Sequence, residues 1–326
     1  MSKSTLAAIA AASAASGAGI TALFYSRSQR PQPQTQQQQQ QKTTPFFDSN
    51  AVPSSKPVPT KTLSPVDPAG ILQYGFLGPV VDALNSLPLH GAYDRRTRNP
   101  AWVAEHITPQ SLAMKEADRK HSAFVEDETI PGPFRARLND YFRSGYDRGH
   151  QVPAADAKWS QAAMDGTFAL TNMCPQVGEG FNRDYWSHFE TFCRELAVKK
   201  FPSVRIVTGP LYLPHRDPDG KWRVNYEVIG NPPNVAVPTH FYKVVYGEEN
   251  GQGSNGKVAL GAFVLPNTRI PNDKPLTDFE VPLEVLERAS GLEFASKLDA
   301  SRRKRLCQEV RCDLVIRDFS NANKRS

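Results

Sequence analysis

Four cysteines in 326 residues, at 174, 193, 307 and 312, are too few for a disulfide-built secreted scaffold. None forms a CxxC pair, so a zinc ribbon or finger is excluded. No G-x-S-x-G elbow occurs, which removes the serine esterases. Internal repeats are absent, and so is the strand–helix alternation of a doubly wound sheet. The chain has a near-match to a phosphate loop, Gly251 to Lys257. Val258 stands where Ser or Thr should hold magnesium, and VALGAFVLP reads as a strand where a helix is required, so a hairpin loop accounts for these glycines. With 27 prolines the chain is not an all-helical bundle, and 39% hydrophobic residues exclude a wholly disordered one.

Acid is also missing from the front of the chain, where none precedes Asp48. The formal charge of +6 comes from 39 basic and 33 acidic residues, but it is unevenly placed. Residues 48–296 hold 26 bases and 29 acids, so the positive balance lies at the two ends. From Ser4 to Ser26 there is no charge of either sign. Basic flanks around a Ser- and Ala-rich run predict a mitochondrial targeting segment over 1–27, with a second role as an inner-membrane anchor. The Gln- and Pro-rich stretch 28–68 reads as a solvated tether, and 321–326 as a tail. Folded structure is expected over 69–320.

Within that span, strand-like runs lie at 92–94, 102–106, 204–209, 222–230, 240–247 and 258–266, separated by turn residues. Helical spacing marks 134–142, 159–164, 181–196 and a segment from Leu283. The order predicts an α+β fold with a central antiparallel sheet flanked by helices. TNMCPQVGEG reads as a turn-rich loop. Cys174 and Cys193 read as buried thiols, and Cys307 with Cys312 as a pair only in an oxidising compartment.

Chemistry concentrates between Gly145 and Leu196. In Asp147-Arg148-Gly149-His150, the arginine and histidine sit two apart and share one face of a strand, with a glycine between them for close approach. A cation beside a titratable base suits a phosphate and its attacking water. Asn182 and Glu190, eight residues apart, overlook one face if both lie on the helix. Both offer hard oxygen donors to a hydrated magnesium ion; an N-cap asparagine and a solvated glutamate is the plainer alternative.

Taken together, DRGH, Thr171-Asn172-Met173-Cys174-Pro175-Gln176 and Phe181-Asn182-Arg183-Asp184-Tyr185-Trp186 with Glu190 closely resemble endonuclease G and its fungal mitochondrial relatives. These are DNA/RNA non-specific nucleases of the ββα-metal fold. The resemblance implies a magnesium-dependent endonuclease, with manganese as a substitute, that cleaves double- and single-stranded DNA and RNA to leave 5′-phosphate ends. It implies His150 as general base, Asn182 as the one direct metal ligand and Glu190 orienting a metal-bound water; the base role fits a histidine, whose ordinary pKa near neutrality lets it take a proton at cellular pH. Arg148 would neutralise phosphate charge, while Asn172, Gln176 and Asp147 support the base and metal shell. It also implies a homodimer in mitochondria, at the inner membrane or in the intermembrane space. Animal members carry a basic residue where Val125 stands here, so a second phosphate-binding arginine is unassigned, with Arg135, Arg137 and Arg183 as candidates. The Arg302-Arg303-Lys304-Arg305 run reads as a nucleic-acid patch, a nuclear-localisation signal or a helix's solvent face. The competing function is a membrane-tethered nucleic-acid-binding protein without turnover.

Overall fold

Period-two alternation of apolar residues builds the main sheet of the computed structural model, which describes residues 81–250 and 256–316. Its strands are β1 (Val81–Asn85), β2 (His90–Asp94), β3 (Asn99–Ile107), β6 (Ser203–Leu211), β11 (His240–Glu248), β12 (Val258–Pro266) and β13 (Arg303–Arg305), hydrogen-bonded in that order. All neighbours are antiparallel except β12 and β13, which run parallel. A separate ribbon pairs β4 (Asp147–His150) with β5 (Met173–Gln176). Two minor ribbons join β7 (His215–Arg216) to β8 (Trp222–Arg223) and β9 (Val228–Ile229) to β10 (Val235–Ala236).

Among the described residues five helices accompany these strands: α1 (Pro109–Ala113), α2 (Gln161–Gly166), α3 (Tyr185–Lys199), α4 (Leu283–Ser290) and α5 (Leu306–Glu309). The one that matters most is α3. Tyr185, Trp186, Phe189, Phe192, Cys193 and Leu196 form its buried stripe, which packs on Ile107, Val204, Ile206, Phe241, Val245 and Phe263 of one sheet face. The alternate residues Tyr242, Val244 and Ala262 face the other side, where Leu286 of α4 covers them. The sheet is thereby closed on both faces, and the ribbon lies on the α3 side.

Several expectations change. FRARLNDYF is not a helix but two 3-10 turns, Gly132–Phe134 and Leu138–Asp140. Its four-residue spacing does not describe a buried face, because Leu138 and Phe142 are exposed while Ala136 and Tyr141 are buried. TNMCPQVGEG contains β5, whose partner strand is supplied by the DRGH segment. Asn182 is not the N-cap of α3; it closes the preceding turn Gly178–Asn182, and α3 begins at Tyr185. WRVNYEVIG divides between β8 and β9 instead of running as one strand. Cys307 and Cys312 are joined in a disulfide, and Cys174 and Cys193 are buried thiols.

The Arg302–Arg305 run is neither a helix face nor a free patch. Lys304 pairs with Glu249 and Glu309, Arg305 with Glu280, and Arg303 donates to the carbonyls of Ala295 and Leu298. The targeting segment, the tether, the start of the folded span up to residue 80, the loop residues 251–255 and the tail lie outside the described residues. Among the described residues no helix is long and apolar enough to cross a membrane.

Candidate active site

The β4–β5 ribbon places DRGH opposite MCPQ, with Gly149 against Cys174 and His150 against Met173. Arg148 and His150 share one face as their spacing requires. Just past β4, Asn172 fastens the chain: its Oδ1 accepts from Val152 N at 3.0 Å, and its Nδ2 donates to Val152 O and Thr167 O. Asn172 therefore fixes the backbone that carries His150. Gln176 lies fully buried against Gly149, where a Cβ would sit 1.9 Å from its Oε1. Only glycine admits that approach. Asn267, at the end of β12, ties the ribbon to the main sheet by donating to Pro175 O and accepting from Val177 N.

The His150 ring packs against two aromatics that also touch each other, 5.6 Å from Phe124 and 4.9 Å from Phe168 in ring-centroid distance, with the two Phe rings 5.0 Å apart. A parallel bridge from Val125 to Ala169 joins the two segments that carry those rings. Each ring carries an arginine, with Arg148 4.2 Å over Phe124 and Arg119 5.3 Å over Phe168. Two guanidinium groups thus sit on the aromatic cluster that holds the imidazole. Burial, with Arg119 adding repulsion, lowers the His150 pKa to about 3. With that shift the ring is neutral at physiological pH, an acceptor by default, and a weaker base than an exposed histidine until an anion joins it. Among the described residues its Nε2 has no hydrogen-bond partner.

Asp147 organises the other wall. Its Oδ2 accepts from Asn182 Nδ2 at 2.9 Å and from Arg183 Nε at 2.8 Å, with Oδ1 taking a further bond from Arg183. Burial alone would raise the Asp147 carboxyl, but those bonds outweigh it and hold the group below the usual range. Glycine at 180, with φ of +80°, lets the turn pass the Arg269 side chain before reaching Asn182.

Glu190, on the second turn of α3, is half-buried. Burial pushes its carboxyl up to about 7, against the opposing pull of Lys243 and Arg194. Behind it lies an ionic cluster that sequence patterns did not reveal. Arg194 pairs with buried Asp156 at 2.8 Å, and buried Lys243 donates to Thr208 Oγ1 at 2.9 Å while lying over the Trp186 ring. Burial and the neighbouring Asp156 hold Glu105 well above the ordinary carboxylate range.

The donor set fits a hydrated magnesium ion. Asn182 gives its N–H to Asp147, which directs the amide oxygen away as a neutral donor, and Glu190 supplies a carboxylate. One protein oxygen with a water-rich shell suits a small ion that dehydrates reluctantly.

Of the arginine candidates, Arg135 is consumed by the carbonyls of Glu128 and Ile130 and Arg137 by Glu126 and Gly132 O. Arg183 is exposed but paired with Asp147. Arg119, which sequence reasoning passed over, is the second arginine beside the base. Lys199 at the end of α3 pairs with Glu195, and Arg205 on β6 pairs with Glu248.

Comparison with known proteins agrees with this geometry. Residues 67–301 match the family described as DNA/RNA non-specific endonuclease. The chain is 62% identical over 259 residues to the mitochondrial nuclease of Saccharomyces cerevisiae, covering 79% of this chain and 78% of that protein. It is 54% identical over 252 residues to the mitochondrial nuclease 1 of Schizosaccharomyces pombe, covering 77% and 78%. A crystal structure of an EndoG/EndoGI complex contains a similar fold, with a TM-score of 0.65 and 43% identity over 74% of this chain and 99% of that one.

Proposed function

The chain belongs to the DNA/RNA non-specific endonuclease family, within the endonuclease G group, and we propose that it is a mitochondrial, magnesium-dependent enzyme that cuts DNA and RNA to leave 5′-phosphate ends. The mitochondrial part is supported by the names of its yeast relatives and by the acid-free front of the chain. Homodimer formation and association with the inner membrane belong to the same reading through the family resemblance.

The observation that carries the chemistry is the neutral imidazole of His150 on an aromatic cluster that also carries Arg148 and Arg119. A phosphodiester seated at those cations brings negative charge to the ring. That charge raises the basicity that burial suppresses, so the base strengthens when substrate arrives. His150 then takes a proton from the attacking water, while Arg148 and Arg119 balance the charge that grows on the phosphoryl oxygens. Asn172 keeps the ring at its post through the Val152 backbone. Magnesium, held by Asn182 with water oriented by Glu190, would supply charge on a phosphoryl oxygen and at the leaving 3′ oxygen. No base-reading element is needed for backbone recognition, which is consistent with sugar-non-specific cleavage.

The test uses purified full-length protein with plasmid DNA and single-stranded RNA, with magnesium and with a chelator. Cleavage of both substrates is expected with the metal only, with 5′-phosphate at the new ends. His150→Ala is expected to lower the rate at least about a hundredfold. Cleavage that survives chelation, or an undiminished His150→Ala protein, overturns the reading.

A further inference from the structure

Beside the aromatic cluster that holds His150, with Arg119 in its lining, lies a cavity of 590 Å³. One wall is the segment 115–121 and the other runs from Lys158 to Gln161. The walls are stitched together: Glu116 N donates to Lys158 O at 2.9 Å, and Asp118 N donates to Gln161 Oε1 at 3.0 Å. The cavity is therefore a fixed feature of the fold and not a gap between independent loops.

Its charges are uneven. Lys115, Arg119 and Lys158 line it, with His121 beside them, against Glu116 and Asp118. Asp118 is already matched by Lys120 at 2.8 Å, and it caps the turn that begins at Arg119. Lys115 is exposed and gives one hydrogen to Leu112 O, leaving two to donate. Lys158 is partly withdrawn from water, yet among the described residues no carboxylate pairs with it. An ammonium in that setting favours an incoming anion more than a solvated surface lysine does.

Arg119 connects the cavity to the chemistry, because its charge acts on both His150 and Glu190 while its side chain lines the cavity. A nucleic-acid strand carries one charge per about 3.4 Å of its axis. Because Arg119 lies over the Phe168 ring that packs on His150 and also lines the cavity, a strand whose scissile phosphate meets His150 and Arg119 can run on toward Lys115 and Lys158. We propose that this cavity is a second phosphate subsite, in which Lys115 and Lys158 hold the backbone phosphate adjacent to the scissile one. The subsite rests on the nuclease reading and deepens it: binding strength comes from a track of at least two consecutive phosphates, on a body that has no general positive field.

The experiment measures binding of a fluorescent single-stranded DNA 12-mer to the full-length His150→Ala protein by anisotropy across a salt series. Adding Lys115→Ala and Lys158→Ala is expected to weaken binding about tenfold. It should also flatten the plot of log K against log salt by about 0.7, the loss of one phosphate contact on a single strand. Lys158→Arg should restore most of the affinity and Lys158→Glu should weaken it further. Unchanged affinity and slope in the double-lysine variant overturn the subsite. Melting temperatures identify any variant that fails to fold, for which Lys158→Gln alone gives the same comparison. Failure of the nuclease reading looks different: wild-type protein cuts nothing, and the His150→Ala protein does not bind the 12-mer at all.

Discussion

Asp147 Oδ2 accepts the Asn182 side-chain N–H at 2.9 Å, joining the strand that carries the base to the turn that carries the metal donor. This bond decides which end of the amide faces the cleft. Asp147→Ala should leave Asn182 free to rotate and release Arg183, raising the magnesium concentration for half-maximal activity by about 10- to 100-fold, the usual scale for losing a partner behind a metal ligand. A magnesium titration of cleavage rate checks this. Thermal stability should change little, because the Asp147–Arg183 pair is largely exposed on the arginine side.

His150 and His240 are both held neutral by burial, with pKa values lowered to about 3 and about 4. In the unfolded chain each takes up a proton near pH 6.5. As pH falls through 6.5 the unfolded state therefore gains protons first. The stability these groups contribute is present above pH 6.5 and lost progressively down to about 3. Melting temperature should fall on acidification through that window, and less steeply in His150→Gln, which cannot gain the proton.

Arg119 and Arg148 should both matter to catalysis, and Arg137 should not. Arg119→Ala is expected to lower kcat/KM by about ten- to a hundredfold, as for loss of a charge-assisted contact to a phosphoryl oxygen. Arg137→Ala should stay within about twofold, since its guanidinium is engaged with Glu126 and Gly132 O. Steady-state kinetics on one oligonucleotide compares the three.

Gly149→Ala should disturb the site through Gln176. The added Cβ meets that amide at 1.9 Å, and overpacking of this kind costs about 1–3 kcal/mol. Calorimetry should show a lower melting temperature, with activity lost as His150 shifts. Shortening Gln176 to Ser in the same protein should recover part of the stability.

The sequence made the base legible because DRGH needs only strand geometry to bring Arg148 and His150 to one face. The core of α3 was legible for a similar reason, since its aromatic stripe repeats at helical spacing without a proline. β5 was hidden because Pro175 and the following glycines imitate a loop; what makes it a strand is a partner contributed by DRGH. Phe134, Leu138 and Phe142 suggested a helix, yet carbonyl-seeking Arg135 and the Asp140 side chain, which accepts from Arg137 N, hold that segment in separate turns. Arg119, Lys243 and Asn267 lie far from the motif along the chain. Only tertiary packing brings them to it, and no local pattern announces them.

The basic run at Arg302–Arg305 has one more role in the molecule. β13 lies parallel along β12, and its side chains are fastened by Glu249, Glu309 and Glu280. Without it, Val258–Leu260 of β12 would present unpaired backbone groups at the rim of the sheet, an open template for strand pairing between molecules. The strongest block of positive charge in the chain thus covers one end of that strand with charged side chains, a cover that a chain cut short before Arg302 would lack.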